Sequence, residues 1–347
     1  MPIDCRVPAF KLIKEHLSRV KELINEQLTT SARRSSFVSR VSKNKIRKTK
    51  HEKRATRDEL FDYMRNHNGK MLRPGLVLLA GACFGNITDE HIRVAAMIEM
   101  IHNATLLHDD VIDNGQQRRS KPTVNNLWGN ESAVLLGDFL LSRVFQLGAE
   151  LEPKAAKIIA STAVWVCEGE LRQIEQKQNW QLSESEYIDI ISEKSAVLFS
   201  SCCSLGAVLA GADESAVSLL SDFGLNAGIT FQITDDLLDI LGDEKQTGKT
   251  SGCDLDGNKL TLPVIHLLRS ASPDKKKQIK LLLAEVKTAN DKKTFIEILN
   301  SSGSIDYARE KAAEYTAVAV QALSNIESSD AKDALLETAK FITSRTE

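Results

Sequence analysis

Apolar side chains recur at three- and four-residue steps through most of this chain. The pattern runs through "FKLIKEHLSRVKELINEQL" (10–28), "IRVAAMIEMIHNATLLHDDVID" (92–113), "ESAVLLGDFLLSRVFQLGAEL" (131–151), "KAAKIIASTAVWVCEGELRQIEQ" (154–176), "SEYIDIISEKSAVLFSSCCSLGAVLA" (185–210) and "ESAVSLLSDFGLNAGITFQITDDLLDIL" (214–241). Such spacing lays an apolar stripe along one side of a helix. Only 7 prolines and 18 glycines interrupt these runs, and strand-like alternation between hairpin turns is missing, so an all-α chain is expected. Several segments are apolar around most of their circumference, which places them inside a bundle with neighbours on every side.

The same pattern divides the chain into an N-terminal helix within 1–32, a basic segment 33–57, and one helical bundle over 58–347 with no linker-like stretch from residue 70 onward. Segment 33–57 is dense in Arg and Lys, with Glu52 as its only acid. That charge suits a solvated connection, or contact with anionic lipid headgroups or an acidic partner. Over the whole chain, 45 basic and 47 acidic residues leave a net charge of -2, so nothing in the bulk charge favours nucleic acid. No apolar run reaches membrane-spanning length and no secretory apolar region opens the chain, so a cytoplasmic protein is expected. The six cysteines lack CxxC spacing and are read as small buried hydrophobes in a reducing compartment.

Two stretches break the apolar runs in the same way: "HDDVID" (108–113) and "TDDLLD" (234–239) each put three aspartates into five positions. On a helix, Asp109 and Asp113 lie one turn apart on one face, as do Asp235 and Asp239. The donors are all hard oxygens, with no cysteine and no paired histidine at metal spacing, which selects Mg2+ or Mn2+ over zinc. Mg2+ keeps waters and is usually completed by substrate phosphates, so facing carboxylates imply a phosphorylated ligand between them. Cations suited to phosphate stand near each cluster: Lys70 and Arg73 in "NGKMLRP", Arg118 and Arg119 in "RRSKPT", and Lys249 and Lys259 after the second cluster. His102 precedes Asp109 by two turns and shares its face, and Gln232 and Phe231 share the face of Asp235.

Together these residues resemble the trans-type isoprenyl diphosphate synthases, particularly those making octaprenyl- or solanesyl-length products. "HDDVID" and "GITFQITDDLLDI" look like the two aspartate-rich motifs, and "GKMLRP", "RRSKPT" and "GKTSGCDLDGNKLTLP" match the motifs around them. The resemblance implies a helical bundle around a deep central cavity, usually in a homodimer, that condenses an allylic diphosphate with isopentenyl diphosphate head to tail. Carried over by position, it implies that Asp109, Asp113, Asp235 and Asp239 bind Mg2+. Asp110 and Asp236 then give hydrogen-bonded support. Arg118, Lys194, Lys249 and Lys259 contact the allylic diphosphate, with Gln232 and Ser195 near the allylic cation, and Gly69, Lys70, Arg73, His102 and Arg119 take isopentenyl diphosphate. Asn68 and Met71 depart from the family pattern, and so does the length of segment 33–57.

Product length follows from the same helix. Met97, Ile101, Ala104 and His108 form one stripe below the first cluster, and Ala104 stands at the fifth position before Asp109, where short-chain members carry a bulky aromatic. Ala104 and its small neighbour Thr105 predict a cavity open to medium- or long-chain products. Leu141, Phe145 and Leu147 on the facing helix are candidates for its floor. A geranylgeranyl- or farnesyl-length synthase remains an alternative, as does a non-catalytic regulatory subunit, although such subunits tend to lose motif aspartates and all six stand here. A class I terpene cyclase would lack the second aspartate motif and the Lys70–Arg73 pair.

Overall fold

The computed structural model describes residues 8–34, 55–66, 69–118, 121–241, 259–285 and 289–344. Arg119, Lys249 and most of segment 33–57 (residues 35–54) lie outside the described residues. A 3-10 turn (Pro8–Lys11) leads into α1 (Lys14–Arg34), α2 (Arg57–Asn66), α3 (Leu72–Ala82) and α4 (Asp89–Ile112). A small hairpin of β1 (Gln117–Arg118) and β2 (Lys121–Pro122) precedes α5 (Val124–Trp128), α6 (Asn130–Gly148), α7 (Pro153–Glu175) and α8 (Glu184–Ile191). A π turn (Ser192–Ala196) joins α8 to α9 (Val197–Leu209), which is followed by α10 (Glu214–Leu241). The chain closes with α11 (Leu262–Ser270), α12 (Pro273–Glu285), α13 (Ala289–Ser301), α14 (Ser304–Ala322) and α15 (Asp330–Thr343).

The apolar spacing explains the packing. Along α1, Leu17, Val20, Ile24 and Leu28 are buried at three- and four-residue steps in the cluster that also holds α3, α4, α6 and α9. Helix α10 lies against α9 and α14 and serves two apolar clusters along its length. Leu220, Phe223 and Ala227 belong to the first, while Ile229, Ile233, Leu237 and Ile240 join residues of α8, α11, α13 and α14 in the second. The second aspartate motif therefore sits near the C-terminal end of a helix packed on both sides. Helices α3 and α4 pack together, and α4 also packs along α6. No helix among the described residues is long and apolar enough to cross a membrane.

Four expectations need correction. The run 185–210 is not one helix: it is interrupted at Ser192–Ala196, where the Val197 N–H donates to the carbonyl of Ser192, five residues back. A hairpin does exist, pairing Gln117 with Pro122 and Arg118 with Lys121, but its two-residue strands are too short to show a period. Phe145 cannot floor a cavity within this chain because it is 73% exposed. The face that α6 turns to α4 carries Ala133, Leu136, Gly137, Leu140 and Val144, and Phe145 lies about 100° beyond Val144. Finally, Cys167 is exposed, whereas Cys202 and Cys203 are buried as expected.

Candidate active site

The first cluster closes α4, and the chain then folds back on itself. Asn114 takes a left-handed conformation (φ 53°), which asparagine tolerates better than most residues, and the Gly115 N–H donates to the Asp110 carbonyl at 2.8 Å. The Asn125 side-chain amide bridges the Asp110 and Gly115 carbonyls at 3.0 and 3.1 Å. This return carries β1 over the helix end, so Arg118 Nε and Nη2 reach Asp110 Oδ1 at 2.9 and 2.8 Å. Asp110 is thus committed to Arg118. Among the described residues, no hydrogen bond or ion pair engages the carboxylates of Asp109 or Asp113. Burial pushes the Asp109 carboxyl up to about 6; Glu170 and Asp113 reinforce the rise, and Lys194 and Arg118 oppose it.

In the second cluster the middle aspartate is again held by protein groups, with different partners. Asp236 is buried, accepts from the Tyr187 hydroxyl at 2.7 Å and from Gln232 Nε2 at 2.8 Å, and lies 3.6 Å from Lys259 Nζ. Asp235 and Asp239 lie on the neighbouring, less buried face of α10.

The π turn lies between the two clusters. Lys194 pairs with Glu170 of α7 and is among the charges felt by Asp109, whereas the next residue, Ser195, donates to Gln232 Oε1 at 2.8 Å and so reaches Asp236 through that amide. Two glycines allow this approach: a Cβ on Gly169 of α7 would collide with the Lys194 backbone, and one on Gly228 of α10 would collide with Ala196. Two consecutive side chains of one turn therefore tie the first motif to the second.

A third group of basic residues sits at the start of α3. Met71 is left-handed (φ 58°), a strained state for a residue with a side chain, yet that side chain is fully packed in the core. Burying it is worth about 1.5–3 kcal/mol, enough to hold the strained turn. The turn leaves Lys70 exposed and sends Arg73 inward. Arg73 Nη1 lies 3.0 Å from His102 Nε2; since a guanidinium only donates, Nε2 accepts and the imidazole proton sits on Nδ1. The guanidinium also lies over Phe199 and Phe231, 4.8 and 5.8 Å from their ring centres, which fixes its plane.

Below the cluster, the stripe Met97–Ile101–Ala104–His108 faces α6: Met97 lies beside Gly148, and His108 covers Gly137. Ile101 and Ala104 are packed between these ends, Ala104 with no accessible surface at all. Thr105 and His102, turned toward Arg73, keep partial exposure, and the Thr105 hydroxyl is tied to the His102 carbonyl at 2.8 Å. Leu141 and Leu147 are half-buried against the same core. Thr105 keeps partial exposure, whereas Ala104 has none.

Sequence reasoning named the motif residues but not Glu170, Tyr187 or the mutual contact of Ser195 and Gln232. A glycine inside a helical run, Gly169, is the available signal for the first of these, since it marks a close approach at that point.

The donor set suits a hard divalent cation. Asp109 is a half-buried carboxylate with no hydrogen-bond or ion-pair partner among the described residues, and its costly charge would be met by a cation. No three His, Cys, Asp or Glu side chains converge among the described residues, so such a cation would draw further oxygens from a ligand or from water.

A helical bundle with paired aspartate motifs and convergent cations is the architecture of a prenyl-diphosphate enzyme, and comparison with known proteins agrees. Residues 55–299 match the polyprenyl synthetase family. The chain is 33% identical over 289 residues to octaprenyl diphosphate synthase of Escherichia coli (strain K12), covering 83% of this chain and 90% of that one. It is 38% identical over 279 residues to heptaprenyl diphosphate synthase component 2 of Bacillus subtilis (strain 168), covering 80% and 79%. The structure of a polyprenyl synthase from Caulobacter crescentus CB15, complexed with calcium and isoprenyl diphosphate, superposes with a TM-score of 0.86 at 32% identity, over 98% of this chain and 97% of that one. The chain belongs to the polyprenyl synthetase family, and it is a prenyltransferase of the polyprenyl diphosphate synthase kind.

Proposed function

We propose that this site condenses an allylic diphosphate with isopentenyl diphosphate in a Mg2+-dependent reaction and makes a medium- or long-chain product. The observation that carries this reading is the π turn, whose Lys194 faces the first aspartate cluster while Ser195 is linked to the second. The pairs Asp109–Asp113 and Asp235–Asp239 would hold the cations, and Mg2+ when bound supplies positive charge to the departing diphosphate. Arg118, Lys194 and Lys259 add fixed cations on the same side, each already oriented by a carboxylate. Arg73, held flat by two phenyl rings and by His102, takes the isopentenyl diphosphate together with Lys70 and the backbone at Gly69. Gln232 and Ser195 place neutral dipoles where the allylic cation forms. Turnover measured with labelled isopentenyl diphosphate should vanish in chelator and return with Mg2+; turnover indifferent to chelation would refute the reading.

The small side chains of Ala104 and Thr105 support the longer product. Because Thr105 is partly exposed and Ala104 is fully buried, Thr105→Phe should shorten the product while leaving Tm nearly unchanged, whereas Ala104→Phe should also lower Tm by overpacking α4 against α6. An unchanged product length in Thr105→Phe would show that the growing chain runs elsewhere.

A homodimer fits the outer face of α6 and α7. Leu135, Phe145, Val164, Trp165 and Leu171 are all exposed there, more apolar surface than an isolated soluble chain usually shows. Light scattering should give twice the chain mass, and Phe145→Glu should reduce it toward one; a monomeric wild-type protein would rule the dimer out.

A further inference from the structure

Three cations of the site share one arrangement: Arg118 rests on Asp110, Lys259 on Asp236, and Lys194 on Glu170. In each pair the carboxylate is the deeper partner, with side-chain exposures of 8, 2 and 16% against 24, 26 and 20% for the cations, so every cation is backed from below and turned outward. Two of the three carboxylates are the middle aspartates of the motifs. The third comes from α7, outside both. Helix α7 meets the π turn in a crossed pair of salt bridges, Glu170 to Lys194 and Arg172 to Glu193, the latter at 3.0 Å. Between them Gly169 packs directly on the backbone of residues 193 and 194, so the turn cannot shift along α7 without a clash.

We infer that Glu170 is a positioning residue that holds the Lys194 ammonium toward the allylic diphosphate, as Asp110 holds Arg118 and Asp236 holds Lys259. Lysine is a point charge on a flexible four-carbon stem, and without a fixed counter-charge it would spread over many rotamers. Glu170 restricts it before substrate arrives, so less ordering is left to binding. The inference rests on the proposed role of Lys194.

The test is steady-state kinetics on the full chain for the wild type, Glu170→Gln, Lys194→Ala and the double variant, with each substrate varied in turn and Tm recorded. Glu170→Gln should lower kcat/KM for the allylic diphosphate by about 10–100-fold, the usual cost of removing a supporting partner. The KM for isopentenyl diphosphate should stay within about twofold, since its contacts are untouched. In the Lys194→Ala background the same substitution should cost nothing further. Fully additive losses, or equal loss toward both substrates with a lowered Tm, would make Glu170 merely structural and overturn the inference while leaving Lys194 in its role. Wild-type kinetics in Lys194→Ala would overturn both.

Discussion

The two aspartate clusters carry nearly the same letters and are built in opposite ways. On α4 the middle aspartate, Asp110, is met by Arg118 only eight residues on, delivered by a turn and a hairpin that the chain forms locally. On α10 the middle aspartate, Asp236, is met by Tyr187, 49 residues earlier, and by Lys259 beyond the end of the helix. In both, the middle carboxylate is buried and held by protein groups, and the outer two lie on a less buried face of the helix. A repeated motif therefore sets which carboxylate is buried, and the surrounding fold decides who supports it.

The largest expected effect treats the clusters as equals. Asp109→Ala and Asp235→Ala should each reduce turnover by at least about a thousandfold, since each removes a charge that the ionising diphosphate depends on, with far-UV circular dichroism unchanged. Near-normal turnover in one of them would make the clusters unequal. Support should differ where the outer carboxylates do not. Arg118→Ala strips a two-pronged guanidinium from a carboxylate only 8% exposed and should cost about 2–3 kcal/mol in urea unfolding. Tyr187→Phe removes one of several donors to Asp236 and should cost about 1 kcal/mol. A reversed order would show that the long-range network is the more critical one.

One further substitution changes sign. Because the folded-state pKa of Asp109 is raised to about 6, its proton is held more tightly folded than unfolded. The stability it contributes is complete below about pH 4 and is lost as pH rises through 6. Asp109→Asn should therefore stabilise the metal-free protein at pH 7 by about 2 kcal/mol while abolishing turnover, and should flatten the decline between pH 4 and 6. A destabilised Asp109→Asn would mean that this half-buried carboxylate is already compensated within the protein.

Most of the helical architecture is legible in the sequence because three- and four-residue apolar spacing is long-range in length and local in cause. What escapes has tertiary causes. The π turn at Ser192–Ala196 contains no proline or glycine; its partners Gly169 and Gly228 lie on other helices and only their packing against the turn reveals it. Phe145 shows that an apolar residue on a helix serves a core or an outer contact equally well, and that only the neighbouring face of Val144 decides which. At the site, the local support of Asp110 by Arg118 follows from an eight-residue spacing, whereas Tyr187 and Glu170 carry no motif and become visible only when α7, α8 and α10 are brought together.

The most direct test of the whole site is to incubate the purified protein with farnesyl diphosphate, labelled isopentenyl diphosphate and Mg2+, and to separate the dephosphorylated products by length. A ladder running well past the geranylgeranyl length is expected from a site with two working clusters and small residues beside Asp109. No elongation from any allylic primer would contradict it and leave a chain that keeps its aspartates without the reaction.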